Sequence, residues 1–290
     1  VNEPDALTRT FGGRVLGVAS MHHKEIALAP HLAPRLGLSE VRVIAGLDTD
    51  RFGAFSGEVA RELAPREAAL AKARAGAESS GLDLVIASEG SFFPHPQAPL
   101  ATCDEEWLVL LDLRSGRTHA HRHVTLDVAH AGRTCRSLED LSEFCARVPF
   151  PSHQLVVRPQ QYGALPAETY KGLSERDELE ARFALVHARH GAAWVELDLR
   201  AHANPTRMRA IEAAAREFAE ELARLCPQCS APHFAVALQL PGLPCAQCGE
   251  PTASLLARVR RCTECGAEAR EARADGRREE DPGACEACNP

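Results

Sequence analysis

The stretch GRVLGVASMHHKEIALAPHLAPRLGLSEVRVIAGLDTD (13–50) decides the fold class. Val15 to Ala19 is a short apolar run after Gly12-Gly13 and reads as a buried strand. Met21 to Leu36 has a helical pattern, with Pro30 and Pro34 expected to disturb its second half. Val41 to Leu47 is a second strand. The alternation continues downstream. Pro65 to Ser80 is an alanine-rich helix with proline in its first turn and Gly81 as its stop, followed by a strand at Leu84 to Ala87. Trp107 to Leu113 and Thr118 to Val128 form a hairpin about Ser115-Gly116. Leu138 to Val148, Ser174 to His190 and Thr206 to Leu225 read as helices, with strands at Gln154 to Arg158 and Ala193 to Leu199. The expected class is α/β, a three-layer-like mixed sheet flanked by helices with an antiparallel hairpin inserted.

With 290 residues, 45% hydrophobic and 25% charged, the chain can bury a sizeable core and carry an appendage, which excludes wholesale disorder. Apolar runs such as Trp107 to Leu111 are far shorter than a membrane helix requires. Arg14 is followed by only a few apolar or small residues before His22, His23 and Lys24, so no secretory signal is expected and the default compartment is the cytoplasm. The formal charge of -7 argues against nucleic-acid binding as the main task.

Eleven cysteines are the unusual feature of the composition. Cys103, Cys135 and Cys145 are scattered and read as buried, inert thiols. The other eight form four C-x-x-C pairs, Cys226/Cys229, Cys245/Cys248, Cys262/Cys265 and Cys285/Cys288, separated by 15, 13 and 19 residues. Two such pairs complete the tetrahedral four-thiolate shell of a zinc ion, so the segment 226–290 reads as a zinc-ribbon module with two structural zincs, set apart from an α/β domain over 13–225. Sequence order favours Cys226/Cys229/Cys245/Cys248 as one site and Cys262/Cys265/Cys285/Cys288 as the other, with an interleaved pairing of first with third and second with fourth as the alternative. Few large apolar side chains lie in this segment, so zinc supplies its folding free energy. Seven arginines stand against nine carboxylates there, which favours a protein-contact role over a nucleic-acid grip.

Ligands of open α/β sheets collect at the carboxyl ends of the strands. Three polar segments follow the first three strands: Met21-His22-His23-Lys24, the run DTDRFGAFSGE (48–58) and SEGSFFPHP (88–96). They offer Lys24 near a helix start for a phosphate, and Asp48, Asp50, Glu58 and Glu89 as hard oxygen ligands for Mg²⁺. His95, between two prolines, is the candidate for proton transfer. His119, His121 and His123 share one face of a strand, which is taken as the solvent side because Val124 and Leu126 lie opposite.

These stretches, with RAHANPTRMRAIE (200–212), GLPCAQCGEPT (242–252) and DPGACEACNP (281–290), resemble an uncharacterised bacterial family whose members end in cysteine-pair ribbons, over about residues 13 to 290. A second resemblance, in REAALAKARAGAESSGLDLVIASEG (66–90), is to the inosine/xanthosine triphosphate pyrophosphatases. It implies a similar fold, a phosphate-binding lysine at Lys24, carboxylate-held Mg²⁺ and attack of water on a nucleoside triphosphate. The chain departs from that pattern at Ala19 and Met21, where the family shows Thr and Asn, and at Glu89, which lacks an adjacent carboxylate. The expected function is a Mg²⁺-dependent phosphohydrolase acting on a nucleotide or another small phosphorylated compound, with Lys24, Glu89 and His95 as catalytic residues and Asp48, Asp50 and Glu58 as cation ligands. The alternative is a non-catalytic protein that binds a phosphorylated ligand and docks a protein partner through its zinc ribbon.

Overall fold

The computed structural model of the chain describes residues 6–52, 62–95, 98–160 and 166–290. The chain divides into two compact units, Gly13–Phe218 and a second made of Ala219–Pro290 with the residues up to Gly12. Helix α1 (Ala6–Phe11) belongs to the second unit.

The α/β unit opens with β1 (Val15–Val18), α2 (Glu25–Leu36), β2 (Glu40–Val43), α3 (Pro65–Ser80) and β3 (Leu84–His95), followed by β4 (Ala98–Asp112) and β5 (Arg117–Thr125). These strands form one mixed sheet in the order β2-β1-β3-β4-β5. β1 lies between β2 and β3 and runs parallel to both, while β3, β4 and β5 are antiparallel neighbours. Leu16 and Val18 are fully buried, as a central parallel strand covered on both faces requires. α2 stays helical through both prolines. Pro30 and Pro34 lie on its exposed side, where the carbonyls they leave unpaired can reach water, whereas Ala27, Leu28, Leu32 and Leu36 face the core. α3 lays its alanine stripe on the sheet, Ala73 and Ala77 packing with Val85, Ala87 and Leu111. A Cβ at Gly76 would stand 2.9 Å from Ile44 Cδ1, so this helix approaches the sheet at glycine distance.

The expected polar loop after the third strand is strand instead: residues 88–95 continue β3 and pair with β4 from Ala98 onward. The expected α/β class with a mixed sheet flanked by helices stands, and the strands beyond β5 add a second sheet. After β6 (Gly132–Cys135), α4 (Leu138–Arg147), β7 (Leu155–Arg158), β8 (Tyr170–Leu173), α5 (Arg176–His190) and β9 (Ala193–Leu197), a second sheet forms in the order β6-β9-β7-β8. Its core joins Cys135, Cys145, Phe144, Leu155, Phe183 and Val195. β8 carries Gly172 at φ 73°, which gives it little strand signal, and its insertion before α5 makes β9 antiparallel to β7. Helix α6 (Pro205–Leu222) closes the unit.

The second unit carries β10 (Ala235–Pro241), β11 (Leu255–Arg261) and β12 (Glu268–Ala272) as an antiparallel meander. Among the described residues no helix is long and apolar enough to cross a membrane.

Candidate functional site

The meander sets the cysteine pairs. The first pair precedes β10 and the third lies in the β11–β12 turn, at one end; the second lies in the β10–β11 turn and the fourth follows β12, at the other. Seven residues of strand span about 23 Å, so pairs adjacent in sequence cannot share an ion. The structure accordingly groups Cys226, Cys229, Cys262 and Cys265 as one cluster and Cys245, Cys248, Cys285 and Cys288 as the other. This corrects the pairing favoured from sequence order and selects the interleaved one. Cross-pair sulfur separations are 3.6 Å (Cys226–Cys265), 3.6 Å (Cys229–Cys262), 3.9 Å (Cys245–Cys288) and 3.7 Å (Cys248–Cys285). A tetrahedron with Zn–S bonds of about 2.3 Å has edges of about 3.8 Å, whereas a disulfide requires about 2.05 Å. The donor set therefore fits zinc. Backbone N–H groups of Gln228, Gln247 and Glu264 donate to the first sulfur of their knuckles, which supports thiolates there. Four thiolates leave no position for water, so each ion would be structural.

The second constellation lies in the α/β unit, past the carboxyl end of β1 and against the middle of β3. Lys24, at the entry to α2, is buried, and its Nζ donates to Ser88 Oγ at 2.8 Å and to the Ser88 carbonyl at 3.3 Å. Burial, helped by Arg207 and Lys72, lowers its ammonium to about 8. Glu89 accepts from Lys72 Nζ at 2.5 Å. Its burial would raise the carboxyl, but Lys72 and Lys24 overcome that and hold it below its ordinary range. His22 is pushed down to about 2 by burial, with Lys24, His202, Arg207 and Arg200 adding to the effect, so it is a neutral imidazole stacked on His202 at 5.0 Å. His23 takes a left-handed φ of 55°, a conformation that costs a non-glycine residue about 1 kcal/mol or more.

Sequence reasoning missed the residues that complete this cluster. Asp198 grips Arg200 through Nε at 3.0 Å and Nη2 at 2.6 Å. Asn204 then caps α6, accepting from the Arg207 N–H at 3.0 Å, and His153 Nε2 accepts from the Thr206 N–H at 3.3 Å. The first turn so fixed drives Arg207 into the core, where Nε donates to Glu106 Oε1 and Nη1 to the Leu199 carbonyl, both at 2.6 Å. Gly90 stands opposite Glu106, and a Cβ there would lie 2.5 Å from Arg207 Nη2 and 2.6 Å from Glu106 Oε1. Asp104, two residues before Glu106, is buried, and burial with the Glu106 charge pushes its carboxyl up to about 7.

A cavity of about 420 Å³ lies at the ends of β1 and β2, walled by Ser20, Met21, His23 and Glu25 on one side and residues 43–48 on the other. Asp48 is exposed in this wall. Asp50 starts a short 3-10 turn, but its side chain lies outside the described residues, as does that of His95 at the end of β3. Glu58 lies wholly outside them. Lys24 and Glu89 are thus brought together, and Asp48 belongs to the cavity wall. The β5 histidines are not on the solvent side: His119 is buried, and His123 Nδ1 and His121 Nε2 share Glu217 Oε2 of α6 at 3.0 and 3.2 Å. Val124 and Leu126 are the exposed residues, because α6 covers the histidine face.

Residues 72–290 match the sequence profile of a domain of unknown function (DUF6671). The chain belongs to the DUF6671 family. The DUF6671 match begins at Lys72 and takes in Glu89, Asp104, Glu106, Arg207 and all eight paired cysteines. None of the curated proteins compared with the chain matches it. Among solved structures, the competence damage-inducible protein A (ComA) from Klebsiella pneumoniae subsp. pneumoniae MGH 78578 is similar at 12% identity over 40% of this chain and 73% of that one, with a TM-score of 0.22. At that score the likeness carries no inference about fold or activity.

Proposed function

We propose that the α/β unit is a divalent-metal-dependent phosphohydrolase acting on a nucleotide or another small phosphorylated compound, and that the second unit is a module folded around two structural zinc ions. The observation that carries this reading is Lys24. Its ammonium is kept charged at neutral pH although burial and two further cations, Arg207 and Lys72, oppose the charge. An anion at Nζ would relieve that opposition, so the cluster favours a phosphate over a neutral ligand. The neighbouring cavity is of small-molecule size.

In this reading Lys24 holds a phosphate oxygen and Arg207 adds to the field at the same point. Glu89 keeps Lys72 in place. Water attacks phosphorus, the P–O bond to the leaving group breaks, and the proton of the attacking water passes to the leaving-group oxygen or to solvent; His95 lies seven strand residues beyond Ser88 on β3, about 23 Å along the strand, too far to take it. A bound divalent cation would supply the acidity that lets water attack at neutral pH. The engagement of Glu89 by Lys72 favours a second reading, a non-catalytic protein that captures a phosphorylated ligand at this rim and docks a protein partner through the zinc module.

The test is a turnover screen of the purified full chain with Mg²⁺ or Mn²⁺ against nucleoside di- and triphosphates and sugar phosphates, alongside Lys24→Ala and Glu89→Gln. Turnover reduced about 100-fold or more in Lys24→Ala is expected, the scale of a lost electrostatic contact to the reacting phosphate. Turnover unchanged in both variants defeats the site assignment. Absence of turnover with ligand-induced melting shifts intact selects the binding reading.

A further inference from the structure

We infer that Asp104 and Glu106 of β4 form a divalent-cation site beside the phosphate rim. The two residues are two apart on one strand, so their side chains leave the same face, which is the face of Gly90 and Phe92 on β3. Both are fully buried, at 1% and 0% exposure. Glu106 gives Oε1 to Arg207 Nε, but its Oε2 and Asp104 Oδ1 have no hydrogen-bond partner among the described residues. Leaving a buried carboxylate oxygen unmatched is costly, and Arg207 and Lys24 act on these two carboxylates through space without a hydrogen bond to either oxygen.

A proton shared between the carboxyls could answer that demand, and so could a cation. The surroundings favour the cation. Lys24 and Arg207 would hold a phosphate next to these oxygens. Mg²⁺ and Mn²⁺ commonly take one or two carboxylates from protein and complete an octahedron with water and substrate phosphate, so this pair suffices without a third side chain. Oxygen donors also separate this site from the thiolate clusters that would take zinc. The cation's part in catalysis rests on the phosphohydrolase reading; its binding does not.

The probe is Mn²⁺ alone, titrated into the zinc-loaded full chain and followed by electron paramagnetic resonance of the free ion. One Mn²⁺ per chain is expected beyond the zinc sites, weakened at least tenfold in Asp104→Asn and in Glu106→Gln and unchanged in Glu143→Gln, an exposed carboxylate of α4. Iron-directed backbone cleavage of the unmutated protein, with Fe²⁺, ascorbate and peroxide, is expected to cut within residues 88–92 and 104–106, which guards against variants that fail to fold. Mn²⁺ affinity unaltered in both Asp104→Asn and Glu106→Gln, cleavage confined to other segments, or no Mn²⁺ uptake at all overturns the site. Mn²⁺ bound through Asp104 in a protein without turnover leaves the site standing and removes the phosphohydrolase reading; turnover that ignores both variants leaves that reading standing and removes the cation's part in it.

Discussion

Lys24 shows what one buried cation implies for pH. The folded chain carries it at about 8, against 10.5 for an ordinary lysine, because burial and then Arg207 oppose the charge. Between those values the folded state binds fewer protons than the unfolded state, so the Lys24 contribution to stability rises with pH across that window and the full cost of the buried ammonium is carried below it. An anion on Nζ favours the charged form, so ligand binding takes up a proton above pH 8. The dissociation constant of inorganic pyrophosphate is therefore expected to weaken by about tenfold per pH unit above 8, beyond the ligand's own titration. Lys24→Arg should remove that excess slope, since a guanidinium stays charged. Calorimetric titrations from pH 6.5 to 9.5 at fixed ionic strength measure it, and an equal slope in the two proteins would refute the assignment of Lys24 as the anion's contact.

At the scale of elements, the zinc meander ties strand order to ligand order. Each turn of an antiparallel meander reverses the chain, so alternate knuckles meet at the same end. The interleaved clusters make a sharp stoichiometric prediction. Cys229→Ser with Cys262→Ser removes two ligands of one ion and should leave one zinc per chain, whereas Cys229→Ser with Cys248→Ser should leave close to none. Pairing in sequence order predicts the opposite, and elemental analysis of the two double variants distinguishes them. The C-x-x-C spacing made the eight ligands legible because knuckle geometry is local, but the pairing depends on strands that the sequence reading did not place. The same division holds in the α/β unit. α3 was readable to the residue from Pro65 and Gly81, which act on their own turn. Asp104 and Glu106 escaped because the strand was read as starting at Trp107, which leaves the acidic run before it outside the strand. The clue was that Cys103 to Glu106 contains no glycine or proline to end the strand. Arg207 had no local clue, since its partner Glu106 lies 101 residues away.

At the scale of the whole molecule, the two units draw on different sources of stability. Among the described residues the α/β unit buries extended apolar clusters under α3 and between the second sheet and helices α4 and α5. In the zinc module Phe234 packs with Cys226 and Cys262, joined by three alanines, so this buried apolar group sits on the metal ligands themselves. Structural zinc contributes roughly 10–16 kcal/mol in small zinc-binding domains, as much as the entire stability of many proteins, roughly 5–15 kcal/mol, and far more than one phenylalanine can replace. Stripping the metal should therefore unfold the module and spare the sheets. Hydrogen exchange before and after zinc removal with a strong chelator and a thiol-blocking mercurial is expected to abolish protection in β10, β11 and β12, with β1, β3, β7 and β9 unchanged. Protection kept throughout the meander would mean that zinc is dispensable to its fold. Protection lost in both units together would mean that the apolar clusters under α3 and α4 cannot sustain the sheets by themselves, contrary to the burial of Leu16, Val85, Val157 and Val195 within them.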